Sequence, residues 1–224
     1  MTAEVLTHPE LIQHTRPIVL ECIQFSAVKT AEEWLATNGL QRGGYHLYAS
    51  AGASGNPHGF LSAVRRHHHD MALAADHEKC GFYKQNGDDS HGKHHHNLEL
   101  LGEAIRRQNP NMDYRYTLLP LNDTRKTCEA TAIMLGQPET VRLAKEKLER
   151  LGLSGNFDII ARPYNLSVND ATIWSDLGIS LDLHSPRRIY VFEKDERNAL
   201  ALTEKVRETA EHIQVEHVIL DPAA

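Results

Sequence analysis

The sequence predicts an α/β protein built on a parallel β-sheet, and three observations support this fold class. Short apolar runs rich in β-branched residues alternate with longer segments in which apolar residues recur with helical period. That alternation is typical of βαβ units, whose helices cover the faces of a parallel sheet. Glycines mark the breaks between segments, as at Gly39, Gly43 and Gly44.

Four strands and three helices are predicted in the first half of the chain. We expect the strands at residues 18–22, 45–50, 71–75 and 114–120, and the helices near residues 27–38, 58–69 and 97–108. The strand segments are apolar at consecutive positions, which is typical of strands covered on both faces.

The second half continues the same alternation. Strands are expected at residues 131–135, 157–161, 188–192 and 215–220, with helices near residues 138–151 and 196–212. The helix from Pro138 has the clearest signals, because proline suits a first helical turn and Gly152 follows the last one. An apolar stripe runs between them, at Val141, Ala144, Leu148 and Leu151.

The two halves follow one template, which predicts an internal duplication. The segment IVLEC corresponds to AIMLG, NGLQRGGYHLYAS corresponds to LGLSGNFDIIAR, and MALAADHEKCG corresponds to IYVFEKDERN. We therefore expect a metal-binding half over residues 1–125 and a degenerate half over residues 126–224, packed against it or joined with it into one continuous domain. Any regular βαβ chain looks periodic at this resolution, and chance similarity is the alternative.

Composition and charge exclude several classes of protein. No apolar run approaches the roughly 18 residues that span a bilayer, and the first residues lack the pattern of an export signal, so we expect no membrane partner. The formal charge of −6 and the scattered Lys and Arg residues argue against nucleic acid. Three widely spaced cysteines suit a reducing compartment, which predicts a cytoplasmic protein acting on a small molecule.

The 15 histidines are the unusual feature of the composition. Several are bunched, at His67, His68, His69, His91, His94, His95 and His96. Adjacent side chains on a helix diverge, so neighbours cannot converge on one ion. We interpret most of these histidines as solvated surface residues, and zinc storage by the clusters is the alternative.

Three residues form a candidate metal site. His77 and Cys80 follow the predicted strand at 71–75, and Cys22 ends the predicted strand at 18–22. Functional groups collect at the carboxyl ends of parallel strands, so Cys22 can join the other two if these strands are neighbours. Two thiolates and one imidazole suit zinc and leave a fourth position open, which is typical of catalytic zinc. Cys22 as a small buried apolar residue is the alternative.

In their order, these features resemble the β-type carbonic anhydrase superfamily. The shared pattern is a cysteine ending the first strand, a strand leading into the loop YASAG, and a strand followed by His-x-x-Cys-Gly, over roughly residues 16–120. The resemblance implies Zn²⁺ held by Cys22, His77 and Cys80, and the interconversion of CO2 and bicarbonate by a zinc-bound hydroxide.

The second half resembles the superfamily only through the degenerate repeat. Gly136, Lys194 and Arg197 stand at the places of the three ligands. One site per chain is therefore expected. The sequence leaves open whether the chain also forms a homodimer.

The chain departs from the superfamily just after the first ligand. The family reads Cys-x-Asp-x-Arg, whereas Gln24 and Ser26 occupy the places of the aspartate and the arginine. The aspartate of the family orients the zinc-bound water. Gln24 is our candidate for this catalytic support, because its amide oxygen can accept a hydrogen bond, although it cannot act as a base.

The candidate substrate contacts flank the ligands. Ser50 ends the strand predicted at 45–50, and Gly52 lies in the loop that follows it, where backbone amides before the helix predicted from residue 58 could bind an anion such as bicarbonate. Gly81 follows Cys80 and allows the chain to turn. A plain strand-to-helix turn is the alternative.

The function expected from these observations is that of a zinc lyase of carbonic anhydrase type. Two thiolates neutralise the dication, so its water is acidified less than it would be by three histidines, and we expect an alkaline activity optimum. The alternatives are a non-catalytic zinc-binding relative that senses bicarbonate or metal, and a hydrolase of another small electrophile such as carbonyl sulfide. A nucleotide-binding protein is disfavoured because the glycine-containing segment at residues 52–55 lacks the lysine of a P-loop.

Overall fold

An eight-stranded, mostly parallel β-sheet with helices on both faces organises the chain, and the α/β class is confirmed. The computed structural model describes residues 17–66, 68–121, 127–163, 170–194 and 196–220. None of the helices in these ranges is long and apolar enough to cross a membrane.

Eight strands and seven α-helices lie within the described ranges. The strands are β1 Pro17–Glu21, β2 His46–Ala49, β3 Met71–His77, β4 Asp113–Leu119, β5 Ala130–Leu135, β6 Phe157–Arg162, β7 Arg188–Glu193 and β8 Gln214–Ile219. The helices are α1 Phe25–Thr37, α2 His58–Arg66, α3 Gly81–Gln85, α4 His91–Gln108, α5 Pro138–Arg150, α6 Ala171–His184 and α7 Glu196–Thr209. All eight predicted strands are present.

The predicted helices differ from those of the structure in their bounds and in their number. The helix predicted from residue 97 begins at His91, because the Ser90 side chain accepts a hydrogen bond from the Lys93 N–H and caps the helix there. The helix predicted to run to residue 69 ends at Arg66. The sequence interpretation missed α3 and α6 altogether.

The strand order is symmetric about the middle of the sheet. It reads β4-β3-β1-β2-β6-β5-β7-β8, so each half contributes four strands in the same relative order. Every neighbouring pair is parallel except β2 and β6, which pair antiparallel through Ala49 and Ala161. This is the order that two copies of one four-stranded unit would give if they joined edge to edge.

Alternating residues of the central strands pack against opposite helical layers. Val19 belongs to a cluster with residues of α1 and α5, whereas Ile18 and Leu20 belong to a cluster with residues of α2 and α4. Residues of α6 and α7 cover the second half of the sheet in a third cluster. Burial on both faces explains why the strand segments are apolar at consecutive positions.

The site is positioned by the central place of β1. This strand lies between β2 and β3, and Glu21 pairs with Ala49 on one side and with Ala75 on the other. The carboxyl ends of the three strands therefore lie side by side. The Cys22 and His77 strands are neighbours, so the condition that the candidate metal site required is met.

Candidate metal centre

The structure brings Cys22, His77 and Cys80 together. Cys22 follows β1, His77 is the last residue of β3, and Cys80 precedes α3. One ligand atom of each residue lies within 4.8 Å of those of the other two. All three residues are buried, with exposed fractions of 2%, 1% and 1%. Among the residues that the structure describes, no fourth Cys, His, Asp or Glu completes this group.

The spacing of the two sulfur atoms fits a single metal ion. Their Sγ atoms are 3.8 Å apart, and both thiols are free. Disulfide sulfurs lie only about 2.05 Å apart. Two thiolates bound to a tetrahedral zinc at about 2.3 Å lie about 3.8 Å from each other. The separation in the protein therefore suits joint coordination.

His77 is oriented as a metal ligand needs to be. Its Nδ1 atom lies 2.8 Å from the backbone oxygen of Glu78, so Nδ1 carries the proton and donates it to that carbonyl. Its Nε2 atom is buried and has no hydrogen-bond partner in the described parts of the chain. A buried polar atom without a partner is costly. A metal ion bound to the Nε2 lone pair would remove that cost.

Without a metal, the surroundings favour the charged forms of Cys22 and His77 and the neutral form of Cys80. The pKa of Cys22 lies well below its usual value because Cys80 donates a hydrogen bond to it, an effect that His77 reinforces and that outweighs burial. The same hydrogen bond and burial hold the pKa of Cys80 well above its usual value. Burial lowers the pKa of His77, but the adjacent Cys22 raises it more, to about 9. One thiolate is thus stabilised next to an imidazolium.

The turn that carries Cys80 is held from two sides. Lys79 adopts a left-handed conformation, with φ of 59°, which lets the chain reverse between His77 and Cys80. The N–H of Cys80 donates to Oδ1 of Asp89 at 2.9 Å, and the N–H of Gly81 donates to Oε1 of Gln24 at 3.2 Å. These contacts fix the Cys80 backbone relative to the Cys22 loop.

Gln24 lies between the two turns that carry the cysteines. Its amide oxygen accepts from Gly81, and its amide nitrogen donates to Oγ of Ser26 at 2.9 Å. Both polar ends of the side chain are therefore engaged within the protein. Its contribution to catalysis stays a prediction, as does substrate binding by Gly81.

Ser50 and Gly52 lie in the loop after β2, next to the Cys22 loop. The Oγ of Ser50 donates to Oδ1 of Asp176 at 3.2 Å, and the N–H of Ala51 donates to the same oxygen at 2.9 Å. Gly52 has φ of +73°, and a Cβ there would lie 2.1 Å from the Phe82 ring. The loop therefore packs against the Cys80 turn, with two of its donors bound to a buried carboxylate.

The sequence interpretation missed a buried polar cluster beside the ligands. Asp76 accepts hydrogen bonds from Ser54 and Tyr83, and one of its oxygens lies 3.3 Å from Nδ1 of His94. Nε2 of His94 lies 3.0 Å from Oδ1 of Asp89. The Asp89 side chain is 15% exposed, and its carboxylate anchors the Cys80 turn. The run of acidic residues before a histidine-rich helix was the available signal.

Two clustered histidines are not surface residues. His94 is fully buried, and His69 is 6% exposed. His94 lies on the inner face of α4, four residues before Leu98, which is also buried. Residues four apart on a helix share one face, so the sequence could have placed His94 beside Leu98. That inference requires α4 to begin before His94, and the predicted helix began only at residue 97.

The described parts of the second half hold no counterpart of this group. Lys194 follows β7 as His77 ends β3, and the N–H of each residue donates to the carboxylate just before it, in Glu193 and Asp76. The backbone arrangement is thus similar in the two halves, while the residues at the ligand positions differ.

The chain matches no family model, and no curated protein or solved structure is significantly similar to it.

Proposed function

We propose that Cys22, His77 and Cys80 hold one zinc ion and that the protein interconverts CO2 and bicarbonate, as β-type carbonic anhydrases do. One observation carries the proposal: a buried set of two sulfurs and one imidazole, 3.8 Å apart at the sulfurs, with no fourth ligand in the described residues. Three protein ligands with an open position are typical of catalytic zinc. The resemblance in motif order supplies the reaction.

The protein's own residues prepare this site. Glu78 holds the His77 ring through Nδ1, and Asp89 and Gln24 hold the turn that carries Cys80. A bound zinc would supply a water molecule of lowered pKa at its open position. Because two thiolates offset the charge of the ion, we expect the activity to rise toward alkaline pH. Full activity already at pH 6 would contradict this ligand chemistry.

The surroundings of the site suit a small, uncharged substrate. Cys22 and Cys80 belong to an apolar cluster that also contains Tyr48, Ala53 and Tyr83. The cavity of about 490 Å³ near Arg42 does not adjoin these residues. A linear molecule of three atoms needs no large cavity, and these apolar neighbours of the two thiols favour uncharged CO2 over a charged ligand.

A second candidate is a zinc protein without turnover, which senses bicarbonate or the metal. The observation that favours it is the complete burial of the ligands together with the engagement of Gln24 at both ends of its amide. Hydrolysis of carbonyl sulfide would use the same centre, because that molecule has the shape and electrophilic carbon of CO2. Activity measured on both gases separates these candidates.

The test combines metal counting with stopped-flow CO2 hydration. We expect one zinc per chain and measurable hydration in the wild type, and loss of both in Cys80→Ser, because a hydroxyl is a poor zinc ligand. Cys128→Ser is the matched control, since Cys128 is also buried but its Sγ atom donates to the Ala130 carbonyl and is not part of the metal-binding group. Zinc without hydration would favour the sensor, and a chain without zinc would overturn the proposal.

A further inference from the structure

A group of exposed side chains of metal-ligand type lies outside the buried centre, at the start of α4. His91 and His95 are four residues apart on this helix, and Glu99 follows at the same interval, so the three side chains share one face. Glu78, in the turn between β3 and α3, contacts His91 from the neighbouring segment. Two histidines at this helical spacing, joined by a carboxylate, are a known set of zinc ligands. The outer group consists of His91, His95, Glu99 and Glu78.

Two imidazole–carboxylate pairs in the outer group have the spacing of ligands on one metal ion. Nδ1 of His91 lies 3.3 Å from Oε1 of Glu78. Nδ1 of His95 lies 3.4 Å from Oε1 of Glu99. Hydrogen bonds between nitrogen and oxygen are mostly about 2.7–3.2 Å long. A nitrogen and an oxygen on one tetrahedral zinc, each at about 2.0–2.2 Å from it, lie about 3.4 Å apart. Each pair therefore suits joint coordination.

A small movement of exposed side chains would bring both pairs onto one ion. The ring centroids of His91 and His95 are 6.4 Å apart. Two imidazoles on one tetrahedral zinc have centroids about 5 Å apart, so the rings need to approach by about 1 Å. The His91 side chain is 64% exposed and can turn without disturbing the core. The His95 ring packs edge-on against Tyr116, at 5.4 Å between centroids, so His95 offers the better fixed ligand.

The charges around the outer group suit a divalent cation. Glu78 and Glu99 supply two carboxylates, which offset the positive end of the α4 dipole near His91. Lys93 lies two residues from either histidine, so its side chain leaves the helix on another face. Imidazole and carboxylate ligands suit zinc and the neighbouring divalent transition metals.

The outer group is built on the same two turns that carry the buried ligands. The backbone oxygen of Glu78 accepts a hydrogen bond from Nδ1 of His77. Asp89, two residues before His91, accepts the N–H of Cys80. The ligands of the buried centre are almost fully covered, so an ion has to be passed to them from the surface. The outer group lies where that ion would first meet nitrogen and oxygen ligands.

We propose that the outer group is a second zinc site, which binds the ion at the surface and supplies it to Cys22, His77 and Cys80. The inference rests on the proposed function for the assignment of zinc to the buried ligands. The transfer is a ligand exchange without a change of oxidation state. Zinc leaves imidazole nitrogens and carboxylate oxygens and binds two sulfurs and Nε2 of His77, and the protons of these new ligand atoms pass to solvent.

Zinc titration of the metal-free full chain tests the site itself. We expect two ions per chain in equilibrium dialysis against excess zinc, and one ion once free zinc is removed, because the exposed site exchanges with solvent. The double variant His91→Gln, His95→Gln should bind one ion in excess zinc. His91→Gln alone changes only an exposed residue and should weaken the second ion about 10-fold or more. His96→Gln is the matched control, since His96 is exposed on another face of α4, and it should bind two ions.

Loading kinetics test the supply of the buried centre. Cobalt(II) is the probe, because it gives a sulfur-to-metal absorption band only when it reaches the cysteines. With limiting cobalt(II), we expect the double variant to load the cysteines on the order of 10-fold more slowly, since the outer group raises the local ion concentration. The final occupancy of the cysteines should be unchanged. His96→Gln should load as fast as the wild type.

The outcomes separate this inference from the proposed function. A second ion that the double variant retains would be an adventitious ion only and would overturn the inference, as would an unchanged loading rate. A single ion in excess zinc that is lost in Cys80→Ser would overturn the inference and leave the proposed function standing. A single ion that Cys80→Ser retains would overturn the proposed function, and with it the supply of the buried centre.

Discussion

Two buried histidines near the site, His77 and His94, differ in the partners of their ring nitrogens. Nδ1 of His77 donates to a carbonyl, and its Nε2 has no hydrogen-bond partner among the described residues, an arrangement that suits a metal ligand. Both nitrogens of His94 face carboxylates, those of Asp76 and Asp89, as in a buried cation. The sequence predicted His77 from its place after a strand. It could not predict His94, because its role depends on carboxylates brought near by the fold.

The His94 contacts predict a pH-dependent stability. Burial lowers the pKa of His94, but Asp76 and Asp89 raise it above its ordinary value. A raised histidine pKa stabilises the fold fully below the unfolded pKa of about 6.5, and this contribution is lost as pH rises through the folded value. We expect His94→Gln to lower the free energy of unfolding by about 3 kcal/mol at pH 6 and by clearly less at pH 9.

Urea unfolding at the two pH values measures this difference. His95→Gln is the matched control, because His95 lies on the same helix but is 31% exposed and faces Glu99. We expect it to change the free energy of unfolding little at either pH. An equal loss for His94→Gln at both pH values would show that His94 acts by packing and not by charge.

At the level of elements, α6 shows why a helix can be invisible to sequence patterning. Its sheet-facing positions Asp176, Ser180 and His184 are four residues apart and polar, yet all three are buried. Each one bonds to a polar partner on a strand or loop, so the face that looks exposed is the inner one. The strands were predicted because their buried partners are apolar. Where buried polar side chains bond to one another, the spacing of apolar residues no longer reveals the buried face of a helix.

One ion pair fastens α6 to the strands beneath it. Asp176 and Arg162 are both fully buried, with 2.6 Å between Oδ2 and Nη2. Arg162 also donates to the carbonyl oxygens of Ala49 and Ala161 and stacks on Tyr48. Removing one partner leaves a buried charge, so we expect Asp176→Ala to lower the free energy of unfolding by about 3–5 kcal/mol.

Chemical denaturation with a matched variant tests the ion pair. Asp182→Ala changes an exposed carboxylate on the same helix and should alter the unfolding free energy by less than about 0.5 kcal/mol. Similar effects of the two substitutions would contradict the conclusion that the Asp176–Arg162 ion pair holds α6 to the strands. Because Ser50 and Ala51 bond to Asp176, the Ala variant should also weaken zinc binding, which elemental analysis reports.

At the level of the whole molecule, the symmetric strand order is the counterpart of the predicted repeat. The repeat could suggest four equivalent strands in each half, but it could not indicate that β2 and β6 would meet, because that edge depends on contacts between the halves. Those contacts include a buried ion cluster: Lys145 of the second half lies beside Glu32 and 3.9 Å from Glu21 of the first. Burial raises the pKa of Glu21 to about 7 despite Lys145.

These shared contacts predict that neither half folds alone. A chain of residues 1–125 would leave Glu21 without Lys145, the Ala51 amide without Asp176 and the start of α1 without Asp158. It would also expose the apolar cluster that both halves build. Buried polar groups that lose their partners cost about 1–3 kcal/mol each, and the stability of a whole domain is only about 5–15 kcal/mol.

We expect the fragment of residues 1–125 to give poorly dispersed NMR signals and to bind no zinc. A dispersed spectrum and zinc binding should both return when residues 126–224 are supplied as a separate chain. A well-dispersed spectrum with one zinc in the fragment alone would show instead that the metal site needs nothing from the second half.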